Sequence, residues 1–423
     1  MEQRTGRLDV LQPVIAGLIA AITGFASTFV LVLAGLRAVG ASPAEAASGL
    51  LTLCICQAGL AIVLGLVYRM PLSFAWSSPG AALLIAAHST THDFSAAAGA
   101  FVVCAVLIVV TGLWPALTRA ITRIPTPIAS AMLAGILFPI CLTPIEASVK
   151  LPLLALPIVL VWLLFFGLAQ RWAVPAALVV TVIVVGISAG TGWLHGSLVA
   201  PHVSFVVPSF EPLVIVSLGI PLFLVTMAGQ NVPGFAVLRT FGYENPPART
   251  ILVSSGAVSA VGALFGAHVV NLAALTAALM AGPDAHADRS KRWIASVTSG
   301  AAYVLLGLAA GLAASLVSAT PPLLITTIAG LAMLGALVSS IAAAIEQPDD
   351  RIVAILTFLV VASGIVIVGV GSAFWGLLVG GIVMLWLTWH RRRRARRESA
   401  SAADAAPGTD DDSTDRGNIP ARS

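Results

Sequence analysis

The chain has 423 residues, 58% of them hydrophobic and only 9% charged, with a mean hydropathy of +1.00. A soluble domain carries about 25% charged residues, so most of this chain's surface must face lipid rather than water. The formal net charge of +4 is concentrated in Arg391-Arg392-Arg393-Arg394, Arg396 and Arg397, which read as a juxtamembrane cluster beside anionic lipid rather than a nucleic-acid surface.

Taken in chain order, residues Met1 to Asp9 are polar and the apolar run 10–39 is too long for a cleavable signal core of about 7–15 residues. It reads as a retained first span behind a cytoplasmic N-terminus. A membrane helix needs about 20 apolar residues. About fourteen segments qualify as candidates: 10–39, 43–67, 72–90, 94–114, 124–142, 150–168, 174–192, 213–238, 247–267, 268–282, 293–316, 319–345, 351–370 and 372–390. The fold expected is an all-α polytopic membrane protein. Cys54, Cys56, Cys104 and Cys141 lie inside apolar runs and read as small hydrophobes, with neither a zinc set nor a disulfide framework.

Charge supplies a check on the count, because cytoplasmic loops collect Lys and Arg. Fourteen crossings from an inside N-terminus leave Arg4, Arg7, Arg69, Arg119, Arg123, Arg171, Arg239, Arg249, Arg289, Lys291, Arg292, Arg351 and the terminal arginines inside. Outside remain only Arg37 and Lys150. The loop 193–212, with His195, Pro201, His202 and Pro208, then divides the chain into two seven-span halves, 10–192 and 213–390. In each half the third span, 72–90 or 268–282, is short and interrupted. Matching interruptions point to a carrier built from inverted repeats with its site near the midplane. Beyond Arg397 the Ala/Ser/Asp-rich stretch completes the tail 391–423, basic and then disordered on the cytoplasmic side.

The first broken span contains Leu72-Ser73-Phe74-Ala75-Trp76-Ser77-Ser78-Pro79-Gly80. A residue before proline avoids helix, and Ser followed by Pro starts one well, so residues 72–76 read as extended and Ser78 as the N-cap of a half-helix from Pro79 to about Ala87. The second contains His268-Val269-Val270-Asn271-Leu272, with Asn271 as N-cap of another half-helix. Two half-helix N-termini facing each other would make an anion site without any lysine or arginine. His268 is either a packing residue or a functional one. Gln230 and Asn231, in Thr226-Met227-Ala228-Gly229-Gln230-Asn231-Val232-Pro233-Gly234, are costly in lipid unless paired; Thr23-Gly24-Phe25-Ala26-Ser27-Thr28 is the counterpart in the first half. No Asp or Glu falls deep in a span. No nucleotide-binding or hydrolase motif appears, so neither ATP-driven pumping nor enzymatic activity is expected, and no cofactor.

The stretches Phe74-Ala75-Trp76-Ser77-Ser78-Pro79-Gly80, Thr226 to Phe235, and His268 to Ala278 followed by Gly282-Pro283-Asp284-Ala285-His286 resemble the bacterial benzoate–proton symporter family over about residues 8–390. That family is similar in fold to uracil permease and the sulfate-type anion carriers. The resemblance implies fourteen spans in a seven-plus-seven inverted repeat, with spans 1–4 and 8–11 moving against spans 5–7 and 12–14. In uracil permease the eighth span supplies a glutamate to the substrate; here Gln230 and Asn231 stand in that neighbourhood. The expectation is proton-driven uptake of benzoate or a similar aromatic carboxylate at the inner membrane. The carboxylate would lie at Ser77, Ser78 and Asn271, and the ring on Phe74 or Trp76. Gln230, Asn231 and His268 would complete the shell, with the proton travelling through His268 or on the substrate. The expected partners are that carboxylate, protons and membrane lipid, with a homodimer as the candidate assembly. A nucleobase or other small-solute carrier of the same fold, and an anion channel, are the rival readings.

Overall fold

The computed structural model of the chain describes residues 2–87, 90–122, 125–190, 202–273 and 275–404. Helices dominate: α1 (Glu2–Ala38), α2 (Pro43–Tyr68), α3 (Ser78–Ala86), α4 (Phe94–Leu113), α5 (Pro115–Thr122), α6 (Thr126–Lys150), α7 (Pro152–Leu168) and α8 (Ala173–Ala189). They continue with α9 (Pro212–Thr240), α10 (Ala248–Ala263), α11 (Leu275–Ala281), α12 (Trp293–Leu308), α13 (Ala310–Ala319), α14 (Pro322–Ile345), α15 (Arg351–Ala362) and α16 (Ser372–Asp404). Two three-residue strands, β1 (Phe74–Trp76) and β2 (Val270–Leu272), pair antiparallel.

Each of the fourteen expected segments contains a helix. Among the described residues, seven helices are long and apolar enough to cross a bilayer alone, and an eighth span arises if α12 and α13, bent by 52°, count as one. The helices α7, α8 and α10 are apolar but shorter. The expected span 351–370 is corrected: α15 ends at Ala362, and Gly364, Val368 and Gly369, all at positive φ, carry the chain through a turn bridged between Ile367 and Val370. At the other end, α16 continues through the arginines to Asp404 rather than ending with them, while residues 405–423, like His195 and Pro201, lie outside the described residues.

Local chemistry sets several helix ends. Ser42 and Glu45 form a capping box at the start of α2, followed by Pro43 in the first turn. Asp93 accepts from the Ser95 N–H at 2.9 Å to start α4. Residues Met1–Gly380 form one compact unit and Gly381–Ser423 another. Within the first, the closest helix pairs fall into two groups: α2 with α12, α4 with α10, and α1 with α12 and α3; then α6 with α14 and α15, and α7 with α8. Small residues permit these approaches, as expected where lipid supplies no hydrophobic drive between helices. A Cβ built on Gly256 of α10 would lie 2.7 Å from the Ala105 carbonyl of α4.

Candidate functional site

The two broken spans meet through their strands. Phe74 pairs with Leu272, Ala75 with Asn271 and Trp76 with Val270. Extended backbone inside a membrane persists only where protein satisfies its polar groups, and the outer edge of β2 is met throughout. The Ser77 N–H donates to the Val269 carbonyl at 3.2 Å and the Ala273 N–H to the Ser73 carbonyl at 2.8 Å. Ser259 of α10 accepts from the Val270 N–H at 2.8 Å and donates back to its carbonyl at 3.3 Å. Asn231 accepts from the Leu272 N–H at 3.0 Å, and the Ser296 hydroxyl of α12 donates to the Leu72 carbonyl.

Ser77, not Ser78, caps α3: its hydroxyl accepts from the Gly80 N–H at 3.0 Å, and its own φ of −75° and ψ of 99° are extended. Pro79 therefore sits second in the helix and brings no donor. The half-buried Ser78 supplies the leading N–H and a hydroxyl at the positive end of the half-helix. Asn271 is likewise corrected. It lies in β2, four residues before α11 begins, because the partner strand draws residues 270–272 into a ladder. Its amide nitrogen donates to the Leu272 carbonyl at 3.0 Å, while Oδ1 is buried without a partner. Ala274, which precedes α11, lies outside the described residues.

The third wall is α9, whose helix widens to π geometry over Met227–Asn231. Such bulges free backbone groups and recur at functional sites. The Thr226 hydroxyl donates to Ser77 Oγ at 2.8 Å, and a Cβ on Gly229 would lie 3.3 Å from Pro79, so this turn rests on the start of α3. Asn231, with no exposed surface, reaches β2 as described and donates to the Met227 sulfur at 3.3 Å; Gln230 beside it is half-buried.

The structure thus brings Ser77, Ser78, Gln230, Asn231 and Asn271 together around the strand pair. Phe74 and Trp76 alternate to the opposite face from Ala75 and Asn271. Trp76 is 2% exposed, with its indole N–H donating to the Thr28 hydroxyl at 2.9 Å and its ring 5.9 Å from Phe25 and 6.0 Å from Tyr303, edge to face. His268 stands apart, fully buried against Phe101 with ring centroids 6.4 Å apart and neither nitrogen partnered. Sequence reasoning passed over Tyr303, Ser259 and Ser296. Their signal was a polar residue inside an apolar helix, which does not say what the side chain meets.

A family model described as benzoate membrane transport protein matches residues 10–386. The inner membrane protein YdcO of Escherichia coli is 35% identical over 369 residues, covering 87% of this chain and 94% of that one. A benzoate membrane transport protein of Acinetobacter baylyi is 32% identical over 375 residues, covering 88% and 93%. Among solved structures, the transmembrane domain of the cyanobacterial bicarbonate transporter BicA aligns with a TM-score of 0.55 at 16% identity, over 88% of this chain and 97% of that one. The murine Solute Carrier 26 anion transporter in its inward-facing state aligns with a TM-score of 0.57 at 13% identity, over 89% and 68%. At these identities the structural likeness establishes the fold alone.

Proposed function

The chain belongs to the benzoate membrane transport protein family, a family of membrane transporters rather than enzymes, and from that premise we propose that it takes up benzoate or a similar aromatic carboxylate by proton symport across a bacterial inner membrane. The observation that carries this reading is the crossing of β1 and β2, where the start of α3, the π-turn of α9 and the Asn271 amide converge with no acidic side chain. An anion is favoured at a helix N-terminus by the helix dipole and by N–H groups that lack carbonyl partners. Ser78, Gln230, Asn231 and Asn271 hold the carboxylate in this reading, with Ser77 fixing the half-helix that meets it. Phe74 and Trp76 back the strand pair, and the aromatic ring lies on the Ala75 side. His268 is the candidate proton carrier; the alternative route is the substrate's own carboxyl group.

Fourteen crossings in two inverted halves complete the proposal. Antiparallel pairing of the two broken spans is what a two-fold relation between halves would produce. The packing of α2 on α12 and of α4 on α10 has the same logic, since exchanging the halves exchanges these two contacts. Alternating access would then move the group built around α1–α4 and α9–α12 against the group built around α6–α8 with α14 and α15.

Uptake of labelled benzoate into energised vesicles tests the reading. Accumulation should saturate, compete with other aromatic carboxylates and collapse when an uncoupler removes the proton gradient, while exchange of internal for external benzoate persists. Undiminished accumulation with the uncoupler present would refute proton coupling, and non-saturating uptake would favour a channel.

A further inference from the structure

The motif Gly282-Pro283-Asp284-Ala285-His286 leaves the end of half-helix α11 and plays no part in the uptake reading above. The structure folds it over a guanidinium. Arg292 is 5% exposed and directs its planar fork at three carbonyls: Nε donates to His286 at 2.7 Å, one terminal nitrogen to Ala281 at 2.6 Å and the other to Ala287 at 3.4 Å. Ala281 is the last residue of α11, where carbonyls lack intrahelical donors and the helix dipole is negative. Among the described residues no carboxylate pairs with Arg292. A buried cation without a counter-ion is costly, and what offsets it here is the end of α11 together with the loop that follows. Lysine could supply the charge but not the fork.

The same segment is tied in a second direction. Asp288 accepts from the Ser290 N–H at 2.9 Å and its hydroxyl at 2.8 Å, capping the short turn Arg289–Lys291. Those bonds hold the Asp288 carboxyl below the usual carboxylate range. Arg289 then donates to the Gly242 carbonyl and lies 5.1 Å over the Tyr243 ring, and the Tyr243 hydroxyl donates to the Arg289 carbonyl at 3.1 Å. Gly242 and Tyr243 lie just past Phe241, the residue after α9, which ends at Thr240. The far ends of α9 and α11 are therefore bound to one another through residues 289–292. Nearer the site, α9 meets the strand that precedes α11 at the Asn231–Leu272 hydrogen bond and at Gly234, where a Cβ would lie 2.9 Å from Leu272. This makes a closed frame with the π-turn on one side and β2 on the other.

We propose that Arg292 is a positioning residue for the substrate site: by locking the end of α11 to the turn that Arg289 ties to the loop behind α9, it fixes Gln230 and Asn231 relative to Asn271. The kinetic consequence rests on the uptake reading, whereas the structural consequence does not. Two variants separate charge from geometry: Arg292→Lys keeps the cation and loses the three-carbonyl fork, and Arg292→Gln loses both. Amide hydrogen exchange over residues 275–281 and 227–234 of the full-length protein, and benzoate uptake in proteoliposomes at matched folded protein, are the readouts. In Arg292→Lys we expect exchange at least tenfold faster in both segments and a KM raised at least threefold, with Vmax within twofold; Arg292→Gln should go further. If Arg292→Gln does not fold, Arg292→Lys decides the matter. Wild-type exchange in the Lys variant would overturn the clamp, and faster exchange with an unchanged KM would reduce Arg292 to a fold-stabilising residue and overturn the positioning role. Should the wild-type protein take up no benzoate, the substrate reading fails separately and exchange alone decides. Loosening of both segments then supports the frame, and loosening of 275–281 alone overturns it.

Discussion

Asn271 shows what one residue can contribute at this crossing. It stands opposite Ala75, on the face of the strand pair away from Trp76, with an amide that bonds only its own neighbour and a buried Oδ1 that meets nothing. A buried acceptor without a donor costs about 1–3 kcal/mol, and a carboxylate, which only accepts, cannot relieve it, so an anion at this position meets the second N–H of the Asn271 amide instead. The charge of the ligand decides which substitution is tolerated. Asn271→Ala removes the orphaned oxygen and should retain measurable uptake. Asn271→Asp places a negative charge where a carboxylate is proposed to sit, and Vmax/KM should fall at least tenfold below that of the Ala variant, about 1.4 kcal/mol. Both are to be compared at matched expression and thermal stability; an Asp variant that transports better than the Ala variant would remove the anion from this position. The residue was visible in the sequence as a polar group inside an apolar span. Its setting was not, because strand pairing with residues about two hundred positions away leaves no local signature. The cap of α3 was read one residue late for a simpler reason: two adjacent serines before a proline are locally equivalent, and only the backbone of Ser77 resolves which one turns.

At the scale of elements, the half-helix α3 is held where it is by α1. A Cβ built on Gly35 would lie 2.6 Å from the Ala81 carbonyl and 3.1 Å from the Leu84 side chain, so any side chain at that position must push α3 away. Ala81 is one residue past Gly80, whose N–H Ser77 caps, and a shift there is felt at the start of the helix. Gly35→Ala should cost about 1–3 kcal/mol through overpacking and raise the KM for benzoate. Gly59→Ala is the control, since nothing lies within 4 Å of a Cβ there. A melting temperature and KM for Gly35→Ala equal to those of the control would show that α3 tolerates displacement. The elements themselves were largely legible, because hydropathy and the Ser-Pro signal are local. Their lengths were less so. α6 runs unbroken through Pro139 and Pro144 to Lys150, and α15 stops at Ala362 although the apolar run continues, since the glycines behind it turn the chain out of the helix.

Across the whole molecule, the proposed topology makes demands that side chains far apart in sequence can meet or violate. An inside N-terminus and fourteen crossings put the end of span 1 and the end of span 11 on the outside. Arg37 donates to Ser318 at 3.4 Å, joining those two ends. The same count puts the start of span 1 and the loop after span 10 inside, and Gln12 donates to the Asp284 carbonyl at 3.2 Å. It also places the end of span 2 and the start of span 9 inside, where Tyr68 donates to Thr250 at 3.0 Å. Removing a single crossing between the members of any pair would set them on opposite faces of the bilayer, so these bonds fit the even or odd number of crossings proposed between them, independently of the Lys and Arg distribution. Cysteine labelling tests the same point. The native cysteines are buried or half-buried, so background should be low. His202→Cys, exposed between the two halves, should react with an impermeant thiol reagent in intact spheroplasts. Gln347→Cys, exposed between α14 and α15, should react only after permeabilisation. Labelling of both positions in intact cells, or of neither, would break the alternation of sides, and the inverted relation between the halves would fall with it, because two repeats are opposed only if each crosses an odd number of times.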